Sequence, residues 1–277
     1  MLSKKTLAKA VRAEIDVNYI CPRRCIFCCN SALLKSEARM GLPKFIEVVG
    51  RMPKLARVDM SGGEPYCEPK LPEMIAYLAG KKIHCDVSTG GTVWRDDVAD
   101  EGKRAMKAGL FTLQISVPAL TESVYDSITA TTGGLFGLVE NLGKFAEVFG
   151  SGVRIRMTLC RENIGEIGIV SELAKGYGIP LLVEPMILVG KSAASPLEVQ
   201  ELQRVKFYIK ALRHGGARIH FDFSEAGDGC PAFARTYKIP AVGECCAQRE
   251  AHAYIDAYGN VSSCTFLKYP NEVLLCR

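Results

Sequence analysis

"ICPRRCIFCCNS", residues 20–31, sets four cysteines within twelve residues, with two arginines between the first pair. A disulfide knot, a zinc site and a seat for a redox-active group would each use such a loop. The N-terminus lacks the apolar segment of a secretory signal. The expected compartment is therefore the cytoplasm, where thiols stay reduced. Zinc usually takes four protein ligands from two paired knuckles. Here one loop offers Cys21, Cys25 and Cys28 at C-x-x-x-C-x-x-C spacing. Cys29 stands next door, turned away from Cys28 if the loop is extended. Three soft thiolates on one short loop suit a thiophilic centre. An iron–sulfur cubane held by three cysteines leaves one iron open to bind substrate or cofactor.

Outward from this loop, short β-like runs alternate with helical patterns. "AEIDVNY" (13–19) leads into the cysteines. "ARVDMS" (56–61) ends in Gly-Gly, "IHCDVST" (83–89) ends in "GGT", and "LFTLQISV" (110–117), "VRIRMTL" (153–159), "IPLLVEPMI" (179–187) and "ARIHFDF" (217–223) follow. Helical spacing is read over 42–52, 71–82, 94–109, within 134–149, over 164–178 and over 195–216. About seven strands separated by helices predict an α/β fold with a parallel sheet, either doubly wound or barrel-like. Both place chemistry on loops at the carboxyl ends of strands. The cysteine loop, "SGGEP" (61–65) and "STGGT" (88–92) fall there. The rhythm stops near residue 224, which predicts a domain of 1–224 and a Gly-, Pro- and Cys-rich extension of 225–277. Within the extension, "HAYIDAYGNVSSCTF" reads as a hairpin.

Composition fits a globular chain: 277 residues, 48% apolar and 23% charged. The net charge of +5 is a mild excess. It suits an anionic substrate, and the scattered basic residues make no nucleic-acid arm. No run of about 18 apolar residues is present, so no membrane span is expected. Cys85 and Cys160 sit in apolar runs and read as small buried hydrophobes. His84, His220 and His252 read as buried, hydrogen-bonded histidines rather than ligands. His214 closes a helix.

Taken together, these motifs resemble the radical S-adenosylmethionine (SAM) enzymes, whose hallmark is C-x-x-x-C-x-aromatic-C after the first strand of a partial (β/α)6 TIM-like barrel. "CPRRCIFC" carries it, with Phe27 at the aromatic position. "SGGEP" matches the GGEP motif after strand two, and "STGGT" falls where the family has a polar end of strand three. "QISVPALTESVYDSITATTGG" (114–134) resembles the strand-four region. Alone, GGEP is an ordinary turn; both motifs in order, each after a strand, are specific. The resemblance covers about 13–220. It implies a 4Fe-4S cluster on Cys21, Cys25 and Cys28 whose open iron chelates SAM. One electron then cleaves SAM to a 5′-deoxyadenosyl radical, which abstracts hydrogen from substrate. It also implies SAM contacts from Phe27, Gly62, Gly63, Glu64, Pro65, Ser88, Thr89 and Ser116. Arg154 and Arg156 share one face of their strand, and either can meet SAM's carboxylate, with Arg156 preferred; a solvated strand face is the alternative. Glu184 and Cys230 are candidates to act on substrate.

"CAQREAHAYIDAYGNVSSC" (246–264) resembles the start of an auxiliary-cluster domain of the SPASM or twitch type, C-x(9–15)-G-x(4)-C. That implies a second iron–sulfur cluster using Cys246 and Cys264, with Cys245, Cys276 and Cys230 as further candidate ligands. The family supplies more cysteines beyond this point than are seen here, so a minimal cluster, a degenerate domain and a shortened chain remain open. About twenty residues precede Cys21, which leaves no leader-binding domain and tilts the expectation towards a small-molecule substrate, or a peptide delivered by another protein. A flavodoxin- or ferredoxin-type donor would supply the electron. Two rival functions stand beside this: RNA or nucleotide modification, and a non-catalytic iron–sulfur carrier or sensor.

Overall fold

The computed structural model describes residues 7–189, 193–221, 230–238 and 251–264. Seven strands run parallel, each beside the next in chain order. They are β1 (Arg12–Asn18), β2 (Arg57–Gly62), β3 (His84–Thr89), β4 (Phe111–Ser116), β5 (Val153–Leu159), β6 (Leu181–Pro185) and β7 (Ile219–Phe221). Between them lie α1 (Leu42–Gly50), α2 (Leu71–Gly80), α3 (Asp96–Lys107), α4 (Glu122–Thr129), α5 (Gly134–Phe149), α6 (Ile167–Gly176) and α7 (Val199–His214). After them come α8 (Pro231–Tyr237), β8 (His252–Ile255) and β9 (Val261–Ser262). Among the described residues the sheet does not close on itself, and β7 and β9 are its edges. This is the partial barrel that the sequence leads one to expect.

Alternation along the strands decides what each face does. In β5, Val153, Ile155, Met157 and Leu159 are fully buried and join the helices in one apolar core. Arg154, Arg156 and Thr158 take the other face, half-buried. β1 repeats the pattern with Ala13, Ile15 and Val17 in the core and Glu14, Asp16 and Asn18 opposite. Parallel strands covered on both faces read as continuous apolar runs. The strict alternation here keeps one face of a parallel sheet polar. Each buried Val, Leu or Ile of the covered face contributes roughly 1.5–3 kcal/mol.

The helices follow their apolar stripes. In α5, Leu138, Leu142, Phe145 and Phe149 are buried along one side, and Gly150 ends the helix at φ 50°. α4 has no sequence signal, because "ESVYDSIT" is poor in strong helix formers. It is held by a carboxylate from far along the chain. Glu166 Oε2 accepts from the backbone N–H groups of Leu120 and Thr121 at 2.8 and 2.9 Å, and Oε1 accepts from the Thr121 hydroxyl at 2.8 Å. The helix expected over 164–178 is shorter, because Arg161–Glu166 form a 3-10 turn pinned by Asn163.

The hairpin of the extension forms, and β8 continues the sheet. It pairs parallel with β1, from Arg12 opposite His252 to Ile15 opposite Ile255, and β9 returns antiparallel. Asp256 accepts from the backbone of Tyr258 and Asn260 in the turn, where Gly259 takes φ 85°. Beneath it, the buried Tyr254 hydroxyl donates to Asp16, which also accepts from Tyr19 and Ser61 at 3.0 Å each. His84 and His252 are hydrogen-bonded as expected but half-buried rather than buried. His220 is exposed instead, because it lies on the edge strand β7. No helix among the described residues is long and apolar enough to cross a membrane.

Candidate active site

The cysteine loop is clamped to the SGGEP turn. Asn18, the last residue of β1, accepts from Ile20 N at 2.8 Å and donates to the Glu64 carbonyl at 3.0 Å. Gly63 N and Glu64 N donate to the carbonyls of Asn18 and Ile20, at 2.8 and 2.6 Å. On the far side of the loop, Asn30 Nδ2 donates to the Gly62 carbonyl at 2.7 Å. A Cβ at Gly62 or Gly63 would overlap the Asn18 or Ile20 carbonyl oxygen, and Gly62 takes φ 115°. These glycines let two backbones touch. The other flank of the loop rests on α4, with Arg24 N and Ile26 N donating to the carbonyls of Thr129 and Ile128 at 2.9 Å.

Glu64 is fully enclosed and braces β2 against β3. Its carboxylate accepts from Tyr66 N at 3.0 Å, Thr89 Oγ1 at 2.8 Å and Gly90 N at 2.7 Å. Burial pushes its pKa up, and these donors with the nearby Arg23 charge pull it back. The resemblance implies a SAM contact from Glu64; its carboxylate is engaged by these three donors of the fold. Pro65 opens a short 3-10 turn, and Tyr66 packs edge-on against Phe145 at 5.6 Å. Ser88 lies on the polar face of β3, opposite Gln114. Ser116 stands opposite Arg156 in the β4–β5 register. Arg156 Nε meets Glu184 at 2.5 Å, with the two side chains 42% and 33% accessible. The Arg156 guanidinium also lies within electrostatic reach of Glu14 and of the Cys29 thiol. Arg154, one layer further from the loop, faces the buried Asp86 at 3.8 Å, where Arg57 sits at 2.5 Å. Of the two β5 arginines, Arg156 is therefore the one at the mouth.

Cys21, Cys25 and Cys28 are half-buried thiols on this mouth. Burial pushes Cys21 up to about 11, and pushes Cys25 and Cys28 up as well. A bound metal cation reverses that preference and takes the thiolates. A cubane gives each cysteine its own iron, and three soft thiolates on one short loop are the donor set such a cluster takes.

A family model described as "Radical SAM superfamily" matches residues 15–174. The chain belongs to the radical SAM superfamily. The family's cofactors are a 4Fe-4S cluster and SAM, and the three thiols are those that would hold the cluster. Among curated proteins, the chain is 24% identical over 170 residues to mycofactocin maturase MftC of Mycobacterium tuberculosis (strain CDC 1551 / Oshkosh), covering 61% of this chain and 42% of that protein. It is 24% identical over 169 residues to PqqA peptide cyclase of Granulibacter bethesdensis, covering 59% and 43%. The chain thus matches less than half the length of these relatives. Streptococcus suis SuiB bound to S-adenosylmethionine has the same fold, with a TM-score of 0.75 at 16% identity, covering 93% of this chain and 60% of that one.

Other expected site residues lie in separate parts of the fold, and the β8–β9 register puts Cys264 level with His252 and Arg12, at the opposite end of β1 from the cysteine loop. Phe27, with Ile26 and Leu188, packs on a small apolar group of Cys160, Met186 and Ala194 beyond β5 and β6. Cys230 occupies the N-cap of α8, which is tied to the segment after β6 by Tyr237 donating to the Met186 carbonyl at 2.6 Å. Cys264 is buried just past β9. Cys245, Cys246 and Cys276 lie outside the described residues. Cys85 and Cys160 are buried, as their apolar runs lead one to expect. Sequence reasoning missed Asn18 and Asn30, the two clamps. Their signal was position alone, one polar residue on either side of the cysteines.

Proposed function

We propose that this chain is a radical SAM enzyme that modifies a peptide. The observation that carries the reading is the mouth itself: three half-buried thiols clamped to the GGEP turn, with Ser116, Arg156 and Glu184 on the polar face of a sheet that stays open. When bound, cluster and SAM supply an organic radical that takes a hydrogen atom from substrate. The chain's residues do the rest. Cys21, Cys25 and Cys28 hold the cluster. The backbone at Gly62, Gly63 and Pro65, with Ser88, Thr89 and Ser116, forms the rim for SAM. Arg156 offers its remaining N–H groups to the SAM carboxylate, steadied by Glu184. Phe27 closes the apolar side and excludes water. Glu184 and Cys230 are the residues this reading offers to the substrate.

A peptide is favoured by the relatives. One matched protein is named as a peptide cyclase, and another structure of SuiB is described with a bound precursor peptide. An unclosed sheet admits a chain where a closed barrel would not. The same reading assigns residues 225–277 an auxiliary iron–sulfur cluster on Cys246 and Cys264, with Cys245 and Cys276, and a flavodoxin- or ferredoxin-type electron donor in the cytoplasm.

The test is anaerobic reconstitution, dithionite reduction, SAM addition and quantification of 5′-deoxyadenosine and iron. The Cys21→Ala, Cys25→Ala, Cys28→Ala triple variant runs alongside. Deoxyadenosine from the parent alone is expected, and iron retained by the variant marks the auxiliary cluster. Release stimulated by peptides, and not by RNA or by sugars, supports the substrate class. A reducible cluster with no deoxyadenosine would leave a carrier or sensor.

A further inference from the structure

Of the two arginines inside the cysteine loop, only one is explained by the loop. Arg24 donates from Nη1 to the carbonyls of Cys21 and Arg23, at 2.5 and 2.8 Å, and so ties the loop to itself. Arg23 turns inward and is 7% exposed, and neither its Nε nor its Nη1 finds an acceptor. The fold makes room for it. A Cβ on Gly90 would overlap the Arg23 guanidinium, so glycine at that position keeps the space open. The hydroxyl of Tyr125 on α4 lies within its electrostatic reach and also lacks a hydrogen bond of ordinary geometry.

The groups within electrostatic reach of this cation are all acids: the Cys25 and Cys21 thiols, the Tyr125 phenol and the Glu64 carboxyl. The last carbonyls of α4, the negative end of that helix, point at the same loop. A buried guanidinium with unused N–H groups is costly unless a partner completes it. A cluster on Cys21, Cys25 and Cys28 would bring three thiolate sulfurs and a net negative charge that grows by one on reduction.

We propose that Arg23 is a cluster-tuning cation: its buried guanidinium donates to the sulfurs of the cluster bound by Cys21, Cys25 and Cys28 and so eases the cluster's one-electron reduction. Hydrogen bonds to sulfur and local charge set such potentials, and a fixed positive charge acts strongly where water is excluded. The electron comes from an external low-potential donor, dithionite in the test. The proposal rests on the radical SAM reading above.

The experiment is a potentiometric titration of the reconstituted protein, following the reduced-cluster EPR signal that SAM perturbs. Parent, Arg23→Met, Arg23→Lys and Gly90→Ala are compared, each with iron content and SAM affinity. At the parent's midpoint, Arg23→Met should lower the reduced-to-oxidised ratio by about tenfold, which is about 59 mV for a one-electron couple. Gly90→Ala, which displaces the guanidinium, should shift it the same way. Arg23→Lys, which keeps the charge, should stay within about threefold of the parent. An unchanged ratio in Arg23→Met overturns the proposal. Should Arg23→Met fail to load a cluster, an unchanged ratio in Gly90→Ala overturns it instead. A loss of SAM affinity with an unmoved potential also overturns it, because the guanidinium would then serve the cofactor's carboxylate. Failure of the parent to form a SAM-perturbed four-iron signal sinks the radical SAM reading and is seen before any variant is made.

Discussion

At Gly63 the space a side chain would need is taken by the backbone of Ile20, one residue before Cys21. A methyl group there has no flexible neighbour to push aside. Gly63→Ala should therefore move the cysteine loop, and iron loading after reconstitution should fall several-fold. Gly80→Ala, at the end of α2 with nothing within 4 Å of the new carbon, is the control. It should leave loading unchanged and alter stability by no more than about 1 kcal/mol. The cysteine spacing and the GGEP turn were legible in the sequence because each is a local pattern of residue types. The clamps were not. Asn18 and Asn30 matter through bonds to residues 46 and 32 positions away, and nothing local announces such a bond. Glu64 shows the converse: its importance was legible, while its engagement as a brace between strands was visible only once β3 stood beside β2.

Among the elements, the strands were read well, because period-two alternation survives in a parallel sheet that has one polar face. α4 was not read, because its stabilisation comes from Glu166, about 45 positions further on. Burial alone would raise the Glu166 pKa, but the bonds from Leu120 and Thr121 outweigh it and hold the carboxyl below its ordinary 4.5. A carboxylate whose folded pKa is lowered stabilises fully above its unfolded value and loses that contribution as pH falls through the folded one. Glu166→Gln should thus cost roughly 1.5–3 kcal/mol at pH about 7. Parent and variant should converge as pH falls through the folded pKa, which lies below the ordinary 4.5. Urea unfolding of the metal-free protein at several pH values measures this. A difference that stays constant with pH would mean that Glu166 acts by shape alone. The cysteine loop leans on the far end of α4, so the variant should also load iron less well at neutral pH.

For the whole molecule, the parallel sheet followed from counting strands and its partial-barrel form from the family resemblance, but the docking of the hairpin followed from neither. The chain breaks rhythm near residue 224, yet β8 lies beside β1 and extends the same sheet. The joint is the buried group of Tyr254, Asp16 and Tyr19. Tyr254→Phe removes one of the hydroxyls that Asp16 accepts from, and should cost roughly 1–3 kcal/mol. Hydrogen exchange should quicken in residues 252–262 and in β1 while β4 to β6 stay protected; uniform quickening would mean that the hairpin is not a separate unit of stability. This pairing also has a consequence for synthesis. Tyr254 and Asp16 are 238 positions apart, so the outer edge of β1 waits for more than two hundred further residues to leave the ribosome before its neighbour arrives. Closing so long a loop is slow, and an unpaired edge invites the wrong partner in the meantime. Glu14 and Asp16, charged residues on that waiting strand, resist such pairing. Expression that outpaces completion of the C-terminal hairpin should yield insoluble protein, and slower translation at lower temperature should recover it.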